Sequence, residues 1–143
     1  MNYDQVRDLL LMHWRYSGAG DEAKASEIYH DDAVLEFPQS GERFRGRASF
    51  TAWRQQYPAK VAYEPRELRG SGDVWVLETG VRYDGGAPVS GVSILQFRGD
   101  KVERETIYVA EPFPAPDWRK PWAEEGDPTQ GRGDLPVRVA IGD

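Results

Sequence analysis

The chain contains no cysteine and only two histidines among its 143 residues. Disulfides and thiolate metal sites are thereby excluded, and two distant histidines are too few to build a transition-metal centre. No cofactor or metal is expected. No apolar run is long enough to cross a membrane. The opening stretch, Met1 to Asp8, carries Asp4 and Asp8 and no apolar segment, so it does not read as a signal peptide. Basic residues are in the minority, with 18 Lys and Arg against 24 Asp and Glu and a net charge of -6. That balance argues against sequence-independent nucleic-acid binding, which rests on a basic surface. Arg43, Arg45 and Arg47 form a local basic cluster, but with Glu42 beside them they read as a solvated turn. Phosphate-cradling glycine loops and the Gly-x-Ser-x-Gly elbow are both missing. The expected setting is cytoplasmic, without membrane or nucleic-acid partners.

What is present is one domain's worth of chain with 12% aromatics, enough to fill a core and line a pocket. Asn2 is a good N-cap, with Gln5 at the capping-box position, and Val6, Leu9, Leu10 and His13 recur at helical spacing over about residues 3–16. Gly18 and Gly20 stop that helix, and Asp21 can cap a second, short one through Ile28. Tyr29-His30-Asp31-Asp32 then turns into an apolar strand, Ala33 to Pro38. A third helix spans about residues 48–57, with Phe50, Trp53 and Tyr57 on one face and Pro58 as its stop. Four strands follow, near residues 61–69, 73–83, 89–98 and 101–110. They are separated by Gly70-Ser71-Gly72, Asp84-Gly85-Gly86 and Gly99-Asp100, turns short enough to require antiparallel neighbours. Six of the ten prolines fall from Pro112 onward. Two tryptophans, Trp118 and Trp122, lie in that proline-rich stretch, which predicts that residues 111–122 dock on the domain. Residues 123–143 read as a polar tail. Arg98-Gly99-Asp100 and Arg132-Gly133-Asp134 spell an adhesion tripeptide, but turn chemistry accounts for both.

The element order, the Asp31-Asp32 turn and the last strand with its Pro112-to-Trp122 continuation resemble the SnoaL-like, nuclear transport factor two-like superfamily over about residues 3–122. The resemblance implies an α+β fold: a conical barrel of strongly curved antiparallel sheet packed on three N-terminal helices around one deep pocket. The fold hosts enzymes and non-enzymes alike. Ketosteroid isomerase, on this fold, uses a general-base aspartate with a tyrosine and a protonated aspartate as oxyanion hole. Alignment puts His13 at the tyrosine's place, Phe37 at the base and Ser93 at the protonated aspartate. Phenylalanine cannot accept a proton, so that mechanism is not expected here.

The same alignment turns Ser93 inward, and with it Leu95 and Phe97. Across an unbroken Gly99-Asp100 hairpin, Leu95 would oppose Arg104, Ser93 would oppose Thr106 and Gly91 would oppose Tyr108. This predicts Arg104, Thr106 and Tyr108 on the inner wall, with Glu36 and Glu105 outside. His13 is the sharpest candidate, since its ordinary pKa suits acid–base work near neutrality; a core histidine held by a carbonyl is the competing reading. Arg104 and Tyr108 are the candidates to polarise an oxygen beside it, and Glu78 is a possible partner for Arg104. Phe37, Trp53, Tyr57, Ser93, Leu95 and Thr106 are the expected ligand-binding wall. The preferred function is binding of a small, largely apolar organic molecule. One alternative is a cyclase-, isomerase- or hydrolase-type enzyme using His13 with Tyr108 or Arg104; another is a dimeric interaction module with a closed pocket. Val92, Ile94, Ile107 and Val109, expected outside, predict a homodimer through the outer sheet face.

Overall fold

A computed structural model describes residues 1–126. Helix α1, Tyr3–Gly18, starts where the capping box predicts. The Asn2 side chain accepts from the Gln5 backbone N–H at 2.9 Å, and the Gln5 side chain accepts from that of Asn2 at 2.9 Å. Two orphan donors are thereby satisfied at once. Val6, Leu10 and Trp14 are buried along one face. Helix α2, Glu22–Ala25, is capped by Asp21 and runs into a 3-10 turn, Ser26–Ile28. Strands β1 (Tyr29–Phe37) and β2 (Glu42–Arg45) precede helix α3, Arg47–Gln55. Strands β3 (Val61–Ser71), β4 (Val74–Tyr83), β5 (Val89–Arg98) and β6 (Lys101–Ala110) complete the sheet.

The sheet order is β2-β1-β6-β5-β4-β3. Strands β3 to β6 form an antiparallel meander, but β1 lies parallel to β6. The edge strands β2 and β3 do not pair with each other. The sheet is therefore open and mixed, and the expected closed, strongly curved antiparallel barrel is not what forms. The reason is connectivity: the sequence-local turns dictate antiparallel neighbours only within β3–β6, and β1 reaches β6 from a remote part of the chain, free of any hairpin constraint. Gln39 extends that parallel seam. Its side-chain amide donates to the Val109 carbonyl at 2.9 Å and accepts from the Val109 N–H at 2.7 Å, as a strand backbone would. The core lies between α1, α3 and one sheet face, built on Val6, Leu10, Trp14, Tyr29, Leu35, Phe50, Trp75, Leu95 and Val102.

The β5–β6 hairpin contains the feature that decides which side chains meet the core. Gly99, at φ +68°, leads the two-residue turn. Phe97 opposes Val102, but Gln96 opposes Arg104, so Glu103 is an extra residue on β6. Beyond this bulge Leu95 opposes Glu105, Ser93 opposes Ile107 and Gly91 opposes Val109. A one-residue slip moves every later side chain to the other face. Arg104, Thr106 and Tyr108, predicted inside, lie on the outer face, and Glu105, Ile107 and Val109 take the inner positions. The proposed outer patch of four aliphatic residues is reduced accordingly to Val92 and Ile94.

The proline-rich continuation ends in a 3-10 segment, Asp117–Trp122, and does not bury its large side chains as predicted. Phe113, Trp118 and Trp122 are 75%, 74% and 80% exposed. Most of the predicted polar tail, and the second Arg-Gly-Asp triplet, lie outside the described residues. Among the described residues no helix is long and apolar enough to cross a membrane.

Candidate functional site

Between the inner sheet face and helices α1 and α3 lies a pocket of about 380 Å³. Helices and strands from along the whole chain converge on it. Helix α1 contributes His13, Trp14 and Ser17; α3 contributes Trp53 and Arg54; β4 contributes Leu77, Thr79 and Val81; β5 and β6 contribute Ser93, Glu105, Ile107 and Val109. The exposed lining residues Gly20, Gln55, Tyr57 and Lys60 mark its mouth. Aromatic rings form part of its wall, with Phe44 packed behind Phe37 and Trp53. Phe37, Phe44 and Trp53 contact one another with ring centres 5.3–6.3 Å apart, and Tyr57 stacks on Tyr83 at 6.1 Å. Burial first, and then Tyr57 beside it, push the Tyr83 hydroxyl up to about 12.

The deep end is polar. Glu105, 6% exposed, accepts a short hydrogen bond from the Tyr29 hydroxyl. Arg54 donates to that same hydroxyl from Nη1 at 3.2 Å. Its guanidinium also lies 5.6 Å from the ring centres of Tyr29, Phe50 and Trp53. Burial works against the Arg54 charge, but Tyr29 and Glu105 outweigh it and hold the group cationic. Burial also raises the Tyr29 pKa, so this phenol remains a donor at any ordinary pH. The chain Arg54–Tyr29–Glu105 is thus a part-buried cation and a buried carboxylate joined through a neutral hydroxyl.

His13 sits at the edge of this chain, with its ring edge-on to Tyr29 at 5.8 Å. Its Nδ1 is 2.6 Å from the Ala25 carbonyl. A carbonyl can only accept, so Nδ1 carries the hydrogen and Nε2 carries the lone pair. Among the described residues Nε2 has no hydrogen-bond partner. Burial first, and then the Arg54 charge, lower the His13 pKa to about 4. The imidazole is neutral at pH 7 and offers an acceptor at the pocket wall. Two further polar atoms of lining residues are buried without a partner: the Trp53 indole N–H and one carboxylate oxygen of Glu22. The other Glu22 oxygen accepts from the Ser17 hydroxyl at 2.7 Å.

Of the residues anticipated from sequence, His13, Phe37, Trp53, Tyr57 and Ser93 line the pocket. Leu95 is core, 1% exposed, and does not line it. Arg104 pairs with Glu36 at 2.7 Å, while Glu78 pairs with Arg69 at 2.8 Å. Thr106 donates to Glu36 at 2.9 Å, and Tyr108 is 40% exposed on the outer face. The bulge at Glu103 separates all three from His13. Arg54, Tyr29 and Glu105 went unrecognised in the sequence. Arg54 was nonetheless signalled, because Phe50, Trp53, Arg54 and Tyr57 fill positions i, i+3, i+4 and i+7 of one helix face. An arginine inside such a stripe is directed at the core. Among the described residues no group of acidic or histidine side chains is arranged to hold a metal.

Comparison with known proteins agrees with this architecture. A nuclear transport factor two-like protein of unknown function from Burkholderia xenovorans is 42% identical, over 87% of this chain and 97% of its own, with a TM-score of 0.79. A protein from Kribbella flavida that carries a provisional ketosteroid isomerase name is 22% identical, over 90% and 95%, with a TM-score of 0.78. A protein of ketosteroid isomerase-like fold from Catenulispora acidiphila, in complex with trimethylamine, is 17% identical, over 71% and 85%, with a TM-score of 0.59. The last two likenesses carry the fold alone. No curated protein matches the chain. The model of the SnoaL-like domain matches residues 9–105, and the chain belongs to that SnoaL-like, nuclear transport factor two-like family.

Proposed function

We propose that this protein binds a small, largely apolar organic molecule in the pocket between α1, α3 and the inner sheet face. The carrying observation is the pocket itself: about 380 Å³, walled by Phe37, Trp53, Tyr57, Ile107 and Val109, with polar groups gathered at its deep end. This division matches the general character of small-molecule sites, in which apolar walls supply affinity and a few polar groups fix orientation. The Catenulispora protein of the same fold is itself bound to a small organic molecule, trimethylamine. A neutral bicyclic probe such as 2-naphthamide should change the emission of Trp14 and Trp53 on titration. Ser93→Phe, which fills the pocket from β5, should abolish that response. An unchanged response in the filled variant would sink this reading.

His13 favours a second reading, an enzyme that moves a proton on its ligand. Its unpartnered Nε2 is neutral at pH 7, the state a general base requires. In that role Arg54, not Arg104 or Tyr108, is the group placed to polarise a ligand oxygen. A site of this kind would exchange the α-hydrogens of 2-acetylnaphthalene with deuterium oxide, and His13→Gln would stop it. Failure of the wild-type protein to accelerate exchange would remove the catalytic reading and leave binding intact.

The outer sheet face supports a homodimer, through a patch different from the one the unbroken hairpin implied. Val76 pairs with Ile94, and Val92 pairs with Tyr108, so four apolar side chains are adjacent on three strands.

A further inference from the structure

Buried arginines are expensive unless an anion meets them, because a guanidinium taken from water loses its hydration. Seven of the twelve arginines among the described residues, all more exposed than a core residue, meet protein carboxylates. Arg7, Arg43, Arg47, Arg69, Arg82, Arg98 and Arg104 all form ion pairs. Arg54 does not. Its hydrogen bond among the described residues goes to the Tyr29 hydroxyl, which leaves further guanidinium N–H groups at the pocket wall. Glu105, the nearest candidate counter-ion, is already engaged by Tyr29 on the far side of that hydroxyl.

A second unused donor stands beside it. The Trp53 indole N–H is buried and has no acceptor. Arg54 follows Trp53 on α3, and its guanidinium carbon lies 5.6 Å from the Trp53 ring centre. Arg54 thus keeps N–H donors at the pocket wall, and the buried indole N–H beside it would need only a small side-chain adjustment to join them on a ligand oxyanion. His13 is neutral and adds no net charge, and its Nε2 lone pair calls for a donor on the ligand rather than a second anionic oxygen. Glu22 is the opposing group, with one oxygen unpartnered, but it sits at the start of α2, bonded to Ser17. The charges that act on His13 are those of Arg54 and Glu105.

We infer that the ligand of this pocket is an organic carboxylate, its ring system against the aromatic walls and its carboxylate on Arg54 and the Trp53 indole N–H. The inference rests on the binding function proposed above and specifies the ligand class.

A matched pair separates the two claims. 2-Naphthoate and 2-naphthamide differ at one group and carry the same apolar body. Isothermal titration at pH 7.5 and low salt should give at least tenfold tighter binding for the naphthoate. Arg54→Gln should abolish that preference, weakening naphthoate at least tenfold more than naphthamide. Trp53→Phe, which removes the indole N–H and keeps an aromatic wall, should weaken naphthoate three- to tenfold and naphthamide far less. Equal affinity of the two compounds for the wild-type protein overturns the carboxylate inference yet leaves the pocket a binding site. A preference that survives in Arg54→Gln overturns it too, by locating the anion elsewhere. Failure of both compounds to bind overturns the binding function itself. The wild-type comparison decides even if Arg54→Gln does not fold.

Discussion

His13 is neutral because the fold withholds from its charged form what water would give it. Its ordinary pKa of 6.5 falls to about 4, by burial and then by the Arg54 charge. The sign follows from linkage: where the unfolded chain binds more protons than the folded one, stability falls as pH falls. The contribution of the neutral ring is therefore complete above about pH 6.5. It declines between about 6.5 and 4 and is absent below, a change on the order of 3 kcal/mol. Urea titrations at pH 7 and pH 4.5 should show this loss in the wild-type protein and a smaller one in His13→Gln. Identical pH slopes for the two would contradict a buried neutral histidine.

Tyr29 is the other residue on which the site turns. Its hydroxyl serves both Glu105 and Arg54. Tyr29→Phe would leave Glu105 buried without its donor, at a cost of about 2–3 kcal/mol beyond the lost packing. Tyr29→Phe combined with Glu105→Gln should recover part of that loss, since the unpaired charge is gone. A double variant destabilised by the sum of the two single losses would show that Glu105 is not held by Tyr29. Nothing in the sequence marked this pair, which lies 76 residues apart. By contrast, the Asn2–Gln5 capping box and the Arg54 position on α3 were local patterns, legible in a few consecutive residues.

At the level of elements, helices and meander strands were readable because their signals are short-range: caps, glycine turns, and the period of apolar residues. The parallel seam between β1 and β6 was not, because no turn joins those strands. The inner face of β6 was misread for a different reason. The hairpin turn was recognised correctly, and Phe97 does oppose Val102. A bulge, however, has no strong sequence signature, and one uncounted residue reversed every assignment beyond it. Burial of Glu105 and exposure of Arg104 are the visible result. This makes Glu103 a sharp test. Deleting it would restore the unbroken register and drive Arg104, Thr106 and Tyr108 into the core. The deletion should abolish cooperative thermal unfolding, whereas Glu103→Gly, which keeps the residue count, should fold. A deletion variant that melts like the wild-type protein would refute the bulged register.

On the scale of the whole molecule, apolar surface remains that one chain does not cover. The outer face presents Ile94 at 36% exposure, Tyr108 at 40% and Val74 at 48%. Register makes the patch continuous: Val76 beside Ile94 on neighbouring strands, and Val92 beside Tyr108. Its margins are charged, with the Arg104–Glu36 pair on one side and Arg69–Glu78 on the other. An apolar centre with a polar rim is the composition of a stable interface, which buries roughly 800 Å² per partner. A two-fold contact through this face would set Ile94 near its centre, where a charge cannot be solvated. Ile94→Lys should therefore yield a monomer by light scattering, with its pocket and probe binding retained, because the substitution points away from the site. Truncation after Glu111 tests the remaining apolar segment separately. Phe113, Trp118 and Trp122 bury little within the chain, so their removal should shift the melting temperature of that monomer by no more than about 2 °C. A larger drop would mean that the segment packs on its own domain after all. A wild-type protein that is monomeric at high concentration would remove the dimer and leave the outer patch without an occupant.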